Sequence, residues 1–138
     1  MSRIIGIDFG DKRIGVAMSD ALELTAQRLV LLDRQGTPKD VEAIVGLVEE
    51  HGATALVVGL PLTMRGEQGP QAKKVVAFCD ALRRRTTIPV HLLDERLTTA
   101  QGQRALLETD TSRRRRKALI DQVAAQLILQ QFLDAKTR

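Results

Sequence analysis

The sequence predicts an α/β fold in which a mixed five-stranded sheet carries helices on both faces. Three observations support this prediction. Residues 3–33 contain three strand-like segments in succession, which favours an antiparallel meander. Beyond residue 37, helical and strand-like patterns alternate, which is typical of parallel strands joined by helices. The later strand-like segments are continuous apolar runs, as expected of parallel strands that are buried on both faces.

The opening meander is predicted from side-chain alternation and turn residues. Residues 3–9 are apolar and rich in β-branched side chains, and Gly10-Asp11-Lys12 then forms a turn. Residues 13–19 alternate larger apolar side chains with small ones, so the two segments predict a β-hairpin. Residues 27–33 complete the meander as its third strand.

The first helix is predicted from its two ends. Thr37 suits the N-cap, Pro38 suits the first helical position, and Asp40 resembles the acidic partner of a capping box. Gly52 is expected to end the helix, because glycine readily adopts the left-handed conformation of a C-terminal cap.

The middle of the chain continues the alternation of strands and helices. Residues 53–59 predict a buried strand, residues 60–69 a loop rich in proline and glycine, and residues 90–93 a short strand. The helix between the two strands presents one apolar face, formed by Ala72, Val75, Val76, Cys79 and Leu82.

The last third of the chain predicts two more helices around a basic segment. One helix is expected from Thr98 or Thr99 to Leu107, where either threonine serves as the cap. Residues 108–117 are polar and strongly basic, and residues 118–134 form an amphipathic helix that closes the fold.

Length and composition fit one globular domain, residues 1–138. Of the 138 residues, 43% are hydrophobic and 28% are charged, which excludes the disordered class. The longest apolar runs, about ten residues, are too short to span a bilayer, and the N-terminus lacks a signal-peptide layout. We therefore expect a cytoplasmic protein with no membrane partner. The single cysteine excludes an intrachain disulfide and a cysteine zinc cluster, and the two histidines lack the spacing of a zinc motif.

Basic residues concentrate in the second half of the chain. Residues 1–69 carry seven Lys/Arg and ten Asp/Glu, which gives a net charge of −3. Residues 70–138 carry fourteen Lys/Arg and seven Asp/Glu, which gives a net charge of +7. Fifteen of the 21 basic residues are arginines, which bind phosphate bidentately. The asymmetry indicates either a polyanionic partner or a solvated basic surface. There are only three aromatic residues, all phenylalanine, so phosphate contacts rather than aromatic stacking should dominate nucleic-acid binding.

Two acidic positions lie at predicted strands. Asp8 follows an apolar run between Gly6 and Gly10, where an ionised carboxylate is costly unless it is paired, bound to a metal or bonded to the backbone of the turn. The two glycines are expected to let a ligand approach the backbone. Asp94 and Glu95 directly follow a strand, the position at which open α/β folds place their sites, and an exposed acidic loop is the alternative. Strand alternation puts only one of these two beside Asp8.

A third acidic residue, Asp121, lies near the start of the last helix. It shares a helical face with Ala124, Ala125 and Ile128, and the small alanines would let this helix approach the sheet closely. Interaction with the helix dipole is the alternative role for this carboxylate. Three carboxylates without histidine or cysteine match the oxygen ligands of Mg²⁺ or Mn²⁺, and two such ions can catalyse phosphodiester hydrolysis.

Four segments in order resemble the motifs of the YqgF family, also called RuvX, over nearly the whole chain. They are residues 8–17 (DFGDKRIGVA), residues 57–62 (VVGLPL) with Gly66 and Gly69-Pro70, residues 94–99 (DERLTT) and residues 120–130 (IDQVAAQLILQ). The family comprises bacterial proteins with a ribonuclease H-like fold, related to the Holliday-junction resolvase RuvC. Arg65, Gly102 and the Arg113–Arg116 run depart from the usual family pattern.

The resemblance implies that Asp8, Glu95 and Asp121 are catalytic and metal-binding. We further predict that Asp8 would bridge two Mg²⁺ or Mn²⁺ ions and that Glu95 and Asp121 would each hold one. It implies a nuclease that matures the 5′ end of pre-16S rRNA, resolves Holliday junctions, or does both. The nucleic-acid contacts that we predict are Lys12, Arg13, Arg96, Arg113, Arg114, Arg115, Arg116 and Lys117. A junction resolvase makes two symmetric nicks and would act as a homodimer, whereas an RNA-processing enzyme need not.

Two other classes of function remain open from the sequence. The Asp8-x-Gly10 hairpin resembles the phosphate-binding loop of actin-like ATPases and sugar kinases, but those enzymes need two such domains. A non-catalytic nucleic-acid-binding module would keep the basic half of the chain and would have no use for converging acids.

Overall fold

A computed structural model describes the backbone of residues 2–95 and 113–136, with side chains described through residue 95 and again from residue 123. The five strands are β1 Arg3–Phe9, β2 Arg13–Ser19, β3 Ala26–Asp33, β4 Ala53–Leu60 and β5 Val90–Asp94. The helices within these described ranges are α1 Thr37–His51, α2 Pro70–Arg85 and α3 Arg113–Lys136.

The strands form one sheet in the order β3-β2-β1-β4-β5. β2 pairs antiparallel with both β1 and β3, whereas β4 pairs parallel with both β1 and β5. This confirms the predicted meander followed by parallel strands. The parallel strands β1, β4 and β5 therefore end at one side of the sheet, at Phe9, Leu60 and Asp94, which we call the carboxyl edge.

Alternating side chains divide the core into two clusters on opposite faces of the sheet. On one face, the odd-numbered apolar residues of β1 and the even-numbered ones of β4 pack with α1 and α2: Ile5, Ile7, Phe9, Leu56, Val58, Val41, Ile44, Val75 and Phe78. On the other face, α3 packs over the sheet through Ala125, Ile128, Leu129 and Leu133, against Ile4, Ala17 and Val57. Because Asp8 alternates with Ile7 and Phe9 along β1, it belongs to the face that α3 covers.

The start of α1 differs from the prediction. Gly36, at a φ of 105°, is the N-cap residue in place of Thr37, and no side chain caps the helix. The carboxylate of Asp40 instead accepts a hydrogen bond from the backbone N–H of Gln35 at 2.9 Å and pairs with Arg34 Nε at 2.6 Å. The predicted capping box is therefore wrong, because the ion pair with Arg34, six residues earlier, engages this carboxylate. The predicted end at Gly52 is confirmed by its left-handed φ of 64°.

Helix α3 begins earlier than predicted and includes the basic run Arg113–Lys117. Arginine and lysine are good helix formers, and neither glycine nor proline interrupts residues 113–136. The helix predicted from Thr98 or Thr99 to Leu107 lies outside the described residues. Of the helices in the described ranges, none combines the length and apolarity that crossing a membrane demands.

Candidate active site at the carboxyl edge

The structure brings Asp8 and Glu95 to the same end of the sheet. The register of β1 with β4 continues so that Asp8 is level with Gly59. The register of β4 with β5 places Gly59 level with Leu93, two residues before Glu95. The backbone N–H of Glu95 donates to the carbonyl of Leu60 at 3.2 Å, which holds Glu95 against the end of β4. The two acidic residues thus lie on either side of β4 at the carboxyl edge.

Glu95, rather than Asp94, faces α3. On the same face of β5, the His91 ring lies 5.1 Å from the ring of Phe132 in α3. The Oε2 atom of Glu95 lies where a side chain at Gly59 would project, on the side of the sheet that α3 covers. The alternation predicted for β5 is therefore confirmed, and Asp8 and Glu95 share this face.

Burial gives Glu95 an unusual protonation equilibrium. Its Oε2 atom is shielded from solvent. Desolvation, with a smaller contribution from the charge of Asp94, raises the pKa of Glu95 from 4.5 to about 7. A cation beside this carboxyl group would offset both effects. Because Asp8 and Glu95 offer only hard carboxylate oxygens, they fit a divalent ion of the Mg²⁺ or Mn²⁺ type.

Helix α3 lies close to the sheet because two strand positions have no side chain. A Cβ atom on Gly6 would lie 2.6 Å from Leu129 Cβ and 3.1 Å from the carbonyl oxygen of Ala125. A Cβ atom on Gly59 would collide with α3 and with the carboxylate of Glu95. The expectation that Gly6 leaves room for a ligand is wrong, because α3 fills that space. The role of Gly59 was missed, although a glycine inside a strand pattern often marks such a close approach.

The orientation of α3 directs its N-terminal half toward the carboxyl edge. At the opposite edge, Gln130 Oε1 accepts from the backbone N–H of Ala26 at 2.9 Å, and Gln126 Nε2 donates to the carbonyl of Ala26 at 3.0 Å. Ala125 lies over the middle of β1, and Asp121 precedes it by one helical turn, about 6 Å along the axis. The described side chains contain no cluster of three metal-ligating residues, and the side chain of Asp121 lies outside them.

The β1–β2 turn lies at the same edge. The backbone N–H of Gly10 donates to the carbonyl of Arg13 at 2.9 Å, and a Cβ atom on Gly10 would lie 2.7 Å from that oxygen. Gly10 is therefore needed for a tight turn. This role differs from the one expected from the sequence, which was to let a ligand approach the backbone. The turn presents Lys12 exposed and Arg13 half-buried.

The other predicted nucleic-acid contacts occupy two segments. Arg113–Lys117 form the first turns of α3, the end of the helix nearest the carboxyl edge, and Arg96 lies outside the described residues. By contrast, Arg83–Arg85 end α2. Since α2 begins near the carboxyl edge and has 16 residues, its last residue lies about 22 Å from its first.

The close approach of α3 predicts a large difference between two glycine-to-alanine substitutions. Gly6→Ala should destabilise the fold by about 1–3 kcal/mol, because the backbone and Cβ atoms of α3 that it meets cannot move aside cheaply. Gly46→Ala is the matched control: it lies on the exposed side of α1 with no atom within 4 Å, and it should stabilise by about 0.5–1 kcal/mol. Thermal unfolding of both variants measures the contrast, and equal melting temperatures would refute the packing argument.

Comparison with known proteins agrees with this geometry. The family model described as "RuvX: Holliday junction resolvase" matches residues 2–135. The chain belongs to the RuvX family. Among curated RuvX relatives, proteins named "Putative pre-16S rRNA nuclease" from Moorella thermoacetica and Clostridioides difficile are 52% and 47% identical to this chain. The matches cover 96% and 97% of this chain and 94% and 95% of those proteins. This RuvX protein is thus a nuclease, a hydrolase of phosphodiester bonds, and divalent metal dependence is general to such enzymes.

Solved structures show the same fold at low sequence identity. A Thermus thermophilus RuvC in complex with a Holliday junction substrate superposes with a TM-score of 0.59 at 15% identity, covering 99% of this RuvX chain and 96% of that chain. A fowlpox virus resolvase in complex with Holliday junction DNA gives a TM-score of 0.62 at 12% identity and covers 99% of both chains. These similarities establish the ribonuclease H-like fold, as predicted.

Proposed function

We propose that this nuclease binds two Mg²⁺ or Mn²⁺ ions through Asp8, Glu95 and Asp121 within a single domain spanning residues 1–138. The observation that carries the proposal is the convergence of Asp8 and Glu95 on one face of the carboxyl edge. Further support comes from the position of Asp121 in the backbone of α3, one helical turn before Ala125. The raised pKa of Glu95 supports the assignment, because a divalent ion at this buried carboxylate would offset the desolvation that raises it.

The chain contributes rigidity to this site. Divalent ions held by Asp8, Glu95 and Asp121 would supply activation of the attacking water and stabilisation of the leaving oxygen. Asp8 is held in the interior of the sheet by β2 on one side and β4 on the other. Glu95 is held by its backbone bond to Leu60 and by the tight fit of its carboxylate at Gly59. Rigid placement of the acids favours catalysis because little reorganisation is needed when substrate binds. We expect cleavage to leave a 5′-phosphate.

We propose precursor 16S rRNA as the substrate, with processing of its 5′ end in the cytoplasm. The support is the name shared by full-length relatives that are 42–52% identical to this chain. A four-way DNA junction is the second candidate, because the matching family model is described as a Holliday junction resolvase. Junction cleavage would require a homodimer, since two symmetric nicks need two active sites.

One experiment separates the two substrates. Purified protein is incubated with Mg²⁺ or Mn²⁺ and offered precursor rRNA and a four-way junction side by side, while its oligomeric state is measured by light scattering. Cleavage of the precursor by a monomer supports the RNA assignment, whereas paired symmetric nicks by a dimer support junction resolution. Failure to cut either substrate with either metal would refute the proposed function.

The basic start of α3 should contribute to affinity through phosphate contacts. Replacing Arg113–Arg116 with serine should raise the Kd for every substrate alike, because phosphate contacts carry no sequence information. Each lost contact should flatten the slope of log K against log salt by about 0.7–0.9. Turnover at saturating substrate should change little.

The matched control for this variant is the double substitution Arg84→Ser and Arg85→Ser at the far end of α2. Both arginines are exposed and distant from the carboxyl edge. Arg83 is left intact because it donates to the carbonyl of Val90 at 2.7 Å and so supports the fold. An unchanged salt slope in the α3 variant, or an equal loss in the control, would contradict the assignment. Binding titrations at several salt concentrations measure the Kd and the salt slope of the α3 variant and of the control.

A further inference from the structure

A cavity of about 520 Å³ opens on the sheet face opposite α3. Its wall includes Phe9, Phe78, Arg34, Lys74, Asp11 and Thr37. The volume lies in the range that accommodates a small molecule or one nucleotide. The candidate metal ligands Asp8 and Glu95 lie on the other face, so this cavity is separate from the acidic site.

The cavity nevertheless lies at the carboxyl edge. β1 ends there at Phe9, and α1 and α2 both begin there, which brings Thr37 and Lys74 beside the β1–β2 turn. Gly10, whose carbonyl contacts the cavity wall, follows Asp8 by two residues, about 7 Å of extended strand. The mouth of the cavity and the acidic site therefore both lie at the carboxyl edge, on opposite faces of the sheet.

The Arg34 side chain is fixed in the cavity wall by three contacts. Its Nε donates to Asp40 Oδ2 at 2.6 Å, and its Nη1 donates to the carbonyl of Gly10 at 3.1 Å. The guanidinium carbon lies 4.3 Å from the centre of the Phe9 ring, and that ring in turn stacks on Phe78 with centres 4.4 Å apart. The guanidinium group thus lies over the Phe9 ring, and Arg34 keeps 20% of its side chain exposed. The result is a guanidinium group that is held in place and lines the cavity.

The charges of the wall compensate one another. Arg34 pairs with the buried Asp40, and Lys74 Nζ lies 3.2 Å from Asp11 Oδ1. Two cations and two carboxylates leave no net charge, so a bare phosphate would gain little here. A flat ligand with an apolar face and polar edges is better matched, because it can stack on the guanidinium group while the rim residues bond its edges.

We propose that this cavity receives one unpaired nucleobase of the substrate strand, stacked on Arg34. The inference rests on the proposed nuclease function. It means that the protein contacts a base of the substrate as well as its phosphate backbone. Unstacked bases commonly bind on guanidinium planes as well as on aromatic rings. In this chain Phe9 and Phe78 are almost fully buried, so Arg34 over Phe9 takes the place of an exposed aromatic platform. The enzyme would thus prefer substrates with an unpaired nucleotide near the cleaved bond.

The test has two parts: a substitution in the protein that fills the cavity, and an RNA that lacks one base. Ala77 lies in the cavity wall on the exposed side of α2, so Ala77→Leu narrows the cavity without altering the contacts of Arg34. Ala43→Leu, at an exposed position of α1 outside the wall, is the matched control. Both substitutions are made in a protein that also carries Asp8→Asn, because that change prevents cleavage of the RNA. Binding is measured in the presence of Mg²⁺. The Kd values are measured by anisotropy for a labelled single-stranded RNA hexamer and for six versions, each with one abasic position.

We expect one abasic position to raise the Kd by about tenfold in the Asp8→Asn protein. Ala77→Leu should raise the Kd of the intact hexamer by a similar factor and abolish the penalty at that position, whereas Ala43→Leu should change neither. Equal penalties at all positions, or equal weakening of intact and abasic strands by Ala77→Leu, would overturn the proposal and indicate a phosphate contact instead. If wild-type protein cleaves no substrate and no hexamer binds, the nuclease proposal fails and this inference fails with it.

Discussion

Asp8→Asn is expected to reduce cleavage by several orders of magnitude while the fold stays intact. Asparagine keeps the shape of the side chain in β1 and removes the charge that would hold a divalent ion. Asp8 is only partly buried and lies at the end of a strand paired on both sides, so the melting temperature should change little. The measurements are kcat on the preferred substrate with Mg²⁺ and thermal unfolding of the same preparation.

A matched substitution controls for the chemical change itself. Asp80→Asn removes an exposed carboxylate on α2 whose ion pair with Arg83, at 3.4 Å, is a surface contact of little energetic weight. It should retain wild-type turnover. Full activity in the Asp8→Asn variant would refute the metal mechanism, as would undiminished cleavage by wild-type protein in excess chelator.

The sheet and the faces of its strands could be predicted from the sequence because they follow from local patterns. β1 and β2 have the predicted bounds, since runs of β-branched residues and the turn at residues 10–12 are local signals. The period of two implies that only one of Asp94 and Glu95 shares a face with Asp8, and the resemblance to the family motif points to Glu95. For the same reason, two of the three acids could be placed at one edge before their neighbours were known.

What could not be predicted depends on side-chain contacts that no sequence pattern marks. The capping box at α1 fails because Asp40 is engaged by Arg34, a competition that local sequence does not show. Gly6 resembles a glycine that admits a ligand, yet its space belongs to α3, more than a hundred residues later. The cavity beside Arg34 combines side chains from β1, α1, α2 and the segments that join them, and none of these carries a recognisable motif by itself.

The second large effect is expected from Glu95→Gln, and its neighbour provides the control. Glu95→Gln should reduce kcat by orders of magnitude, because the carboxylate that faces α3 would lose its charge. Asp94→Asn should change kcat by no more than a few fold, since alternation places Asp94 on the opposite face of β5. Steady-state cleavage assays with Mg²⁺ show which of the two variants loses more kcat. If Asp94→Asn were the severe change, the register at the end of β5 would be shifted by one residue.

The same substitution should have the opposite effect on stability when metal is removed. Because the pKa of Glu95 is raised to about 7 in the folded protein, its ionisation opposes folding above the unfolded value of 4.5 and does so fully above pH 7. At pH 8 this ionisation lowers the free energy of unfolding by up to about 3 kcal/mol. In chelator at pH 8, the Glu95→Gln variant should therefore melt several degrees above wild type. Near pH 4, where Glu95 is protonated in the folded protein, the two proteins should have equal melting temperatures. Adding Mg²⁺ should raise the melting temperature of wild type more than that of the variant, because the ion stabilises only a chain that binds it. A variant that melts below wild type at pH 8 in chelator would show that the Glu95 carboxylate stabilises the fold, and its assignment as a metal ligand would then lose its electrostatic support.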